Sequence, residues 1–436
     1  MKLLIEGGRI ISPGDGINGV GYVLIEDGKI VEAAVGRSYK GSRGEELTAI
    51  NVGGKIVTPG LIDMHTHLRE PGREDKETIH TGTRAAAKGG FTSIACMPNT
   101  EPPIDSQTGV EYVLAVARRE GLVNVYPIAG ITKGLAGVEL TEIGALKKAG
   151  AVALSDDGRP VMNSEVMRRA LEYTAMFRMP IIDHCEDINL SAEGQMNEGY
   201  TATVLGLKGI PAESEEIMIA RDILLASLTG GRIHIAHIST RRGVEMVRQA
   251  KRQGIRATCE ATPHHFTLTD SDVRLYNTNA KMNPPLRSSE DVAAIKEGLR
   301  DGTIDAIVTD HAPHTREEKE VEFMYAPFGI IGMETAVPLV MTELVSKGVL
   351  TLEEAIAKMT VNPARILGLR KGTLLQGADA DVTVIDPEIE VAVEESYFES
   401  KSRNSPFIGR KLKGVPVMTI VGGRIVMEDG AVKHGH

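Results

Sequence analysis

Two histidines separated by one residue, His65 and His67, stand directly after a short apolar run. Side chains at i and i+2 of an extended strand point to the same side, so this pair can bind one cation together. His184 and His237 each follow a further apolar run, and Asp310 follows another. For the first pair alone, structural or solvent-facing histidines are a real alternative. Histidines at three strand ends favour a metal centre, and imidazole nitrogen combined with carboxylate oxygen suits zinc.

The acidic residues after these runs predict proton transfer and metal binding. A carboxylate such as Asp310 beside a metal can accept a proton from water and return it to a leaving group. Taken alone, Asp310 could instead be a helix N-cap. Asp156 and Asp157 precede Gly158, where an Asx turn is the simple reading. Turn formation and metal binding are compatible, and the sequence leaves open which of the two aspartates faces inward.

Arg69, Asn99 and Asn283 predict the kind of substrate. An arginine fork matches a carboxylate in two parallel hydrogen bonds, and an asparagine can both donate to and accept from an amide edge. Asn99 and Asn283 each adjoin a proline, so loop turns are the alternative reading. Together the three residues indicate a substrate that carries a carboxylate and an amide.

Eight apolar, β-rich runs alternate with helical segments and would position these residues. The runs cover residues 60–62, 92–96, 123–128, 152–154, 180–182, 232–236, 255–259 and 306–308. Helices are predicted between them, for example over 213–226, 241–253 and 291–299. The pattern predicts an α/β protein with a (β/α)8 TIM barrel, whose active site lies at the C-terminal ends of the strands. A doubly wound sheet also alternates strands and helices, but it concentrates its site at a switch point.

Both ends of the chain have the texture of small antiparallel sheets. Near the N-terminus, β-type runs are separated by Gly7-Gly8 and Asp27-Gly28, which we interpret as hairpin turns. Residues 381–385 and 417–426 repeat this pattern. Each end alone has too few strands to be stable, so we expect one β-sandwich domain built from both. The predicted division is 1–58 and 366–436 for the sandwich and 59–365 for the metal-dependent barrel.

Composition excludes several classes of protein. The chain has 436 residues, 42% hydrophobic and 25% charged, as expected for a folded globular protein rather than a disordered one. Its formal net charge of −10 and the lack of a basic, aromatic stripe argue against nucleic acid as a partner. No apolar run approaches the ~20 residues of a membrane span, and we expect a cytoplasmic protein. Three widely separated cysteines predict reduced thiols.

Three motifs together carry a resemblance that spans nearly the whole chain. They are HLREPG at 67–72, MPNT at 97–100 and TDHAPH at 309–314. In these the sequence resembles the amidohydrolase superfamily and, within it, the bacterial class I dihydroorotases. The resemblance implies a hydrolase of cyclic amide bonds that interconverts N-carbamoyl-L-aspartate and L-dihydroorotate in pyrimidine synthesis.

The same resemblance implies roles for individual residues. His65 and His67 would hold one zinc, His184 and His237 a second, and Asp157 would bridge the two ions of each subunit. Asp310 would ligate the first zinc and shuttle protons. Many relatives carry a carboxylated lysine at the bridging position, where this sequence offers Asp157. The implied substrate-binding set is His67, Arg69, Asn99, Asn283, His314 and the backbone around Phe328 and Gly329.

The sequence is also compatible with other functions. One is another cyclic amidohydrolase, an allantoinase or a hydantoinase. Another is a catalytically silent, dihydroorotase-like subunit that scaffolds aspartate transcarbamoylase. An active enzyme could also bind that transcarbamoylase, and family likeness favours a homo-oligomer. Residues 315–328 form a polar excursion that either orders over the substrate or remains a solvated loop.

Overall fold

The fold is described from a computed structural model that covers residues 2–41 and 47–433. Residues 1, 42–46 and 434–436 of the predicted terminal domain lie outside the described residues. Five strands come first in the chain: β1 (Lys2–Ser12), β2 (Ile17–Glu26), β3 (Lys29–Val35), β4 (Leu47–Asn51) and β5 (Ile56–Pro59).

The two glycine-containing pairs near the N-terminus have different roles. Asp27-Gly28 joins β2 to β3 as a hairpin, as predicted. The hairpin expected at Gly7-Gly8 is wrong, because both flanking segments belong to β1 and pair with the same strand, β2. The register shifts there between Glu6 and Arg9, and Gly7 has a φ of 84°. The two glycines therefore form a β-bulge. A bulge often needs a residue with a left-handed backbone conformation, which glycine adopts easily.

Eight parallel strands in chain order form the barrel, which confirms the predicted (β/α)8 fold. The middle strands are β6 (Leu61–Thr66), β7 (Phe91–Cys96), β8 (Asn124–Ala129), β9 (Ala153–Leu154), β10 (Ile181–Asp183), β11 (Met196–Asn197), β12 (Gly209–Ile210), β13 (Ile233–Ile235), β14 (Ala257–Ala261) and β15 (Ala306–Ile307). β11 and β12 form a separate pair, and the others form one sheet. A bridge between Thr66 and His311 joins the two ends of this sheet. Most of these strand residues are buried, as expected where helices cover a parallel sheet.

Helices connect the barrel strands and cover them. They are α1 (Ile79–Lys88), α2 (Gln107–Glu120), α3 (Ile143–Ala149), α4 (Ser164–Phe177), α5 (Ile188–Ser191), α6 (Tyr200–Leu205), α7 (Glu213–Thr229), α8 (Arg241–Arg252), α9 (Pro263–Thr267), α10 (Ser289–Arg300), α11 (Arg316–Lys319), α12 (Met333–Val340), α13 (Leu352–Met359) and α14 (Val361–Leu367). The predicted amphipathic face of α8 is confirmed, since Val244, Val247 and Ala250 are buried. In residues 2–41 and 47–433, no helix combines the length and apolar character needed to cross a bilayer.

The C-terminal strands complete the terminal sheet. They are β16 (Val382–Ala392), β17 (Lys411–Val421), β18 (Arg424–Glu428) and β19 (Ala431–Val432). β16 pairs antiparallel with β5, so strands from both ends form one nine-stranded sheet. Leu3 and Val23 from the first part share a buried core with Val384 and Ile420 from the second. The mostly-β domain built from both termini is therefore confirmed.

One C-terminal segment leaves this sheet and reaches the barrel. Between β16 and β17, Asn404 donates hydrogen bonds from Nδ2 to the carbonyls of Ala312 and Gly329, both at 3.0 Å. Its Oδ1 accepts a hydrogen bond from the backbone N–H of His314 at 3.1 Å. The division at 58 and 365 remains a prediction, and this segment connects the predicted C-terminal part directly to the barrel loops.

Candidate active site

A pocket of about 350 Å³ lies at the C-terminal ends of the barrel strands. The metal-binding and substrate-binding residues that the resemblance implies all line this pocket, apart from His65, which is fully buried. The lining includes His67, Arg69, Asn99, Asp157, His184, His237, Asn283, Asp310, His314, Phe328 and Gly329. Residues far apart in the sequence meet here because parallel barrel strands all end on the same side.

His65 and His67 face two carboxylates. His65 Nε2 lies 3.5 Å from an oxygen of Asp157 and 3.5 Å from Oδ1 of Asp310. His67 Nε2 lies 3.0 Å from the same Asp310 oxygen and 3.6 Å from Asp157 Oδ2. The spacing of ligand atoms among His65, His67 and Asp157 is compatible with one bound cation.

His184 and His237 form a second pair on the other side of Asp157. Their facing ring nitrogens, Nδ1 of His184 and Nε2 of His237, lie 3.0 Å apart. These nitrogens are 3.9 Å and 4.0 Å from Oδ1 of Asp157. Asp157 thus stands between two histidine pairs, which is the arrangement that a bridging ligand requires.

Unpaired buried atoms test whether this site fits a metal. His65 Nε2 and Asp157 Oδ1 are buried and have no hydrogen-bond partner in the part of the chain that is described. A buried polar atom without a partner is costly, so each such atom needs an explanation. Both atoms point into the cluster, and imidazole nitrogens with carboxylate oxygens are donors that suit divalent zinc. The residues fit a metal centre.

The structure favours Asp157 over Asp156 as the inward-facing carboxylate. Asp156 Oδ1 accepts hydrogen bonds from the backbone N–H groups of Ile131 at 2.7 Å and Thr132 at 3.0 Å. Its Oδ2 accepts a hydrogen bond from the Thr132 hydroxyl. Asp156 therefore stabilises a neighbouring loop, and its oxygens are already occupied.

Three of the four histidines have their second ring nitrogen held by an acceptor. His65 Nδ1 lies 2.6 Å from Glu260, and His67 Nδ1 lies 2.9 Å from Asn99 Oδ1. His184 Nε2 lies 3.1 Å from Glu186. Such partners fix the ring and its tautomer, so that the other nitrogen is free to bind a metal. His237 differs, because its Nδ1 is buried without a partner among the described residues.

Glu260 and Glu186 escaped the sequence interpretation. Burial would raise the pKa of Glu260, but His65 and His234 lower it to about 2. Burial likewise opposes ionisation of Glu186, whose pKa His184 nevertheless lowers to about 2. Two features of the sequence could have indicated them: Glu260 is an acidic residue inside the apolar strand β14, and Glu186 follows His184 by two residues.

Backbone conformations at the pocket are strained. Asp310, His237 and Arg69 have φ angles of 46°, 29° and 60°, in the left-handed region that side chains other than glycine rarely adopt. Two hydrogen bonds from Thr309 to the carboxylate of Asp63, at 3.1 Å and 2.5 Å, support the backbone beside Asp310. Strain that the surroundings maintain is typical of functional sites.

The proposed substrate residues occupy the opposite wall. Arg69 Nε donates to the carbonyl of Pro313 at 3.2 Å, and burial lowers the pKa of Arg69, an arginine that nevertheless stays charged. His314 Nε2 lies 2.8 Å from the carbonyl oxygen of Phe328. Burial lowers the pKa of His314 to about 3, so its ring is neutral and donates to that carbonyl. Phe323 and Ala326 are buried, whereas Met324 and Tyr325 are exposed, so the 315–328 excursion is anchored to the protein through a few of its side chains.

Known proteins match this chain over nearly its whole length. Residues 54–243 match the family described as "Dihydro-orotase-like", and residues 227–427 match the "Amidohydrolase family". A dihydroorotase from Pelotomaculum thermopropionicum is 59% identical over 99% of this chain and 100% of the relative. One from Endomicrobium trichonymphae is 56% identical over 98% of this chain and 100% of the relative.

The chain belongs to the dihydroorotase family of the amidohydrolase superfamily. Membership confirms the resemblance seen in the motifs and makes the chain a hydrolase that acts on cyclic amide bonds. Among solved structures, an L-hydantoinase from Arthrobacter aurescens has a TM-score of 0.88 and 29% identity over 99% of this chain and 97% of its own. A dihydropyrimidinase from Brevibacillus agri has a TM-score of 0.84 at 21% identity, covering 100% of this chain and 96% of its own, which shows the fold alone. The dihydroorotase relatives are much closer in sequence than these hydantoinase-like structures.

Proposed function

We propose that the pocket hydrolyses L-dihydroorotate to N-carbamoyl-L-aspartate and closes the ring in the reverse direction, with two zinc ions per subunit. The observation that carries this proposal is the placement of Asp157 between two histidine pairs, with Asp310 beside the first pair. A divalent cation pair supplies Lewis acidity, which lowers the pKa of water and polarises a carbonyl oxygen. His65 and His67 would hold one ion, His184 and His237 the other, and Asp157 both.

Asp310 would move the proton. In hydrolysis, its carboxylate accepts the proton of the attacking water and donates it to the departing ring nitrogen. In ring closure, it accepts the proton of the ureido nitrogen that attacks the side-chain carboxyl group and passes it to the departing carboxyl oxygen, which leaves as water. Microscopic reversibility assigns both directions to the same carboxylate. Hydrogen bonds from Thr309 to Asp63 support the backbone beside Asp310, whose Oδ1 lies 3.0 Å from His67 Nε2, and so place this carboxylate at the cluster.

Arg69 and its neighbours would orient the substrate. The guanidinium of Arg69 forms paired hydrogen bonds with the ring carboxylate, and Asn99 adds a further donor. Asn283 and His314 contact the amide edge, and the backbone of Phe328 and Gly329 closes over the ring. All of these residues line the same pocket, which supports a substrate that combines a carboxylate with a cyclic amide.

The cellular setting belongs to the same proposal. We assign the reaction to the ring-closing step of de novo pyrimidine synthesis in the cytoplasm. A homo-oligomer and association with aspartate transcarbamoylase stay predictions from the sequence. A silent scaffold is disfavoured, because the metal-ligand residues expected to be lost in such a subunit are present and converge.

A substrate comparison tests the function. The purified chain, loaded with zinc, is assayed with L-dihydroorotate, hydantoin and allantoin under identical conditions, and zinc content is measured in parallel. We expect loss of dihydroorotate absorbance to be the fastest of the three reactions. Preference for hydantoin or allantoin would assign the pocket to another cyclic amidohydrolase. A folded chain with neither zinc affinity nor turnover would indicate a scaffold.

A further inference from the structure

Two buried lysines, Lys281 and Lys319, stand beside the pocket and have no role in the mechanism above. Their exposed fractions are 2% and 4%. Among the described residues, no carboxylate lies within ion-pair distance of either ammonium group. A buried charge without a counter-ion is unfavourable, so its presence calls for a compensating role.

Both ammonium groups bind backbone carbonyls of one short segment. Lys281 Nζ donates to the carbonyls of Phe323 at 2.7 Å and Met324 at 3.3 Å. Lys319 Nζ donates to the carbonyls of Pro327 at 2.9 Å and Gly329 at 3.1 Å. The two lysines therefore hold residues 323–329 from both ends.

The aromatic rings of the segment add to the contacts of Lys281. Its Nζ lies 5.1 Å from the ring centre of Phe323 and 4.8 Å from that of Phe328, both within the range of cation–π attraction. The backbone carbonyl of Lys281 also accepts a hydrogen bond from the N–H of Gly329 at 2.9 Å. Lys281 thus contacts the segment through both its side chain and its backbone.

Residues 327–329 form one wall of the pocket, and each of their carbonyls has a donor. Lys319 binds the first, His314 the second, and Lys319 together with Asn404 the third. Three successive peptide units are therefore fixed from outside the segment. Gly329 lies so close to its surroundings that an added Cβ would meet the Ala312 carbonyl oxygen at 2.6 Å.

We propose that Lys281 and Lys319 are positioning residues, whose ammonium groups hold the backbone of residues 323–329 in the shape that contacts the substrate. This inference rests on the proposed function, because it gives Phe328 and Gly329 their place over the dihydroorotate ring. Neither lysine touches the metal cluster, and each acts through the wall that it holds.

Burial makes the charged forms of both lysines less favourable, as their lowered pKa values show. Burial lowers the pKa of Lys281 to about 8. Burial and the nearby Lys281 charge lower the pKa of Lys319 to about 7, against an opposing effect of Glu318. Each charged form is therefore less favourable in the folded chain than in water, a cost that the hydrogen bonds to the segment only partly offset.

The experiment replaces each lysine by methionine in the full-length, zinc-loaded chain. We expect Lys281→Met and Lys319→Met to raise KM for dihydroorotate about tenfold to a hundredfold, because a small misplacement of contacting groups is costly. The change in kcat should be smaller, and zinc content should equal that of the unsubstituted chain. Hydrogen exchange of residues 323–329 should become faster, while exchange in the barrel strands stays the same.

Lys358 provides a matched control away from the pocket. It is 6% exposed, its Nζ donates to the carbonyl of Ile304 at 2.6 Å, and burial lowers its pKa. Lys358→Met should leave KM unchanged. If Lys319→Met does not accumulate in folded form, Lys319→Gln is measured instead. Its side-chain amide can still donate a hydrogen bond but carries no charge, so KM should again rise.

The outcomes separate the two proposals. An unsubstituted chain that does not turn over dihydroorotate would contradict the proposed function. An active chain in which the Lys281 and Lys319 variants match Lys358→Met in KM and in exchange would overturn the positioning role. Loss of zinc together with kcat in these variants would also overturn it, since the lysines would then support the metal cluster.

Discussion

The two sides of the pocket are built from opposite chemistry. On the metal side, imidazoles face carboxylates, and acceptors such as Glu260 hold the outer ring nitrogens. On the loop side, lysine ammonium groups face backbone carbonyls and no carboxylate among the described residues pairs with them. The metal side is anchored to strand ends of a closed barrel, whereas the loop side is held by side chains from separate segments.

This contrast suggests a division of labour. Groups at strand ends can be fixed within small tolerances, which suits metal binding and proton transfer. A wall built from a loop can differ between relatives without altering the barrel, which suits substrate recognition. We therefore expect substitutions on the metal side to reduce kcat or metal binding, and substitutions on the loop side to raise KM.

The largest effect is expected at Asp310. Asp310→Asn removes the proton acceptor with little change in size, so kcat should fall about a hundredfold to ten-thousandfold. The measurement is steady-state turnover with zinc analysis of the same sample. Asp156→Asn is the matched control, because Asp156 binds only a neighbouring loop. Equal turnover of Asp310→Asn and the unsubstituted chain would remove the proton shuttle from the mechanism.

Arg69 tests the substrate side of the comparison. Arg69→Lys keeps the positive charge but loses the planar fork that binds a carboxylate in two hydrogen bonds. We expect KM for dihydroorotate to rise about tenfold to a hundredfold, as for loss of a charged hydrogen bond, with a smaller change in kcat. Arg73→Lys, at an exposed ion pair with Glu318, should behave like the unsubstituted chain. A loss confined to kcat would place Arg69 on the metal side instead.

Much of the metal side could be predicted, because buried parallel strands are apolar runs and the polar residues after them share one end of the barrel. His65, His67 and Asp310 each follow such a run. Glu260 was missed because its partner, His65, lies on a strand far away in the sequence. Only the closed barrel brings the two side chains together.

The loop side was less accessible to sequence reasoning. Arg69 was predicted from the chemistry of its side chain and Phe328 from the family resemblance, but Lys281, Lys319 and Asn404 meet through contacts between distant segments. Nothing in local spacing relates Asn404 to Gly329. The Gly7-Gly8 error has a similar origin, because a bulge and a turn use the same residues and only strand pairing separates them.

Glu260 offers a test of how the metal side is held. Glu260→Gln keeps the shape but removes the charge that faces His65 Nδ1, so zinc affinity should fall about tenfold to a hundredfold. Competition with a chelator measures this change. Glu334→Gln is a suitable control, since Glu334 is also fully buried and its carboxylate accepts hydrogen bonds from the backbone of Glu399 and Ser400. Unchanged zinc affinity in Glu260→Gln would show that the charge is dispensable.

The smallest effect concerns stability on the loop side. The pKa of Lys319 is about 7 in the folded chain, whereas the pKa of a lysine in an unfolded chain is about 10.4. Between these values the unfolded chain binds more protons, so the unfavourable contribution of Lys319 is full below pH 7 and fades as the pH rises toward the unfolded value. Burial also lowers the pKa of Lys281, to about 8, so its contribution to stability changes with pH in the same direction. The carboxylate of Glu318 opposes the lowering of the pKa of Lys319.

Denaturant unfolding at several pH values measures this contribution. The stability of the unsubstituted chain relative to Lys319→Met should increase from pH 7 to pH 10, because only the former carries the titrating ammonium. Lys358→Met removes another buried lysine whose pKa is lowered by burial, so the same comparison should give a change of the same sign. A relative stability that falls over this range would mean that the ammonium of Lys319 stabilises the fold. The loop side would then be held, like the metal side, by a favourable charge interaction.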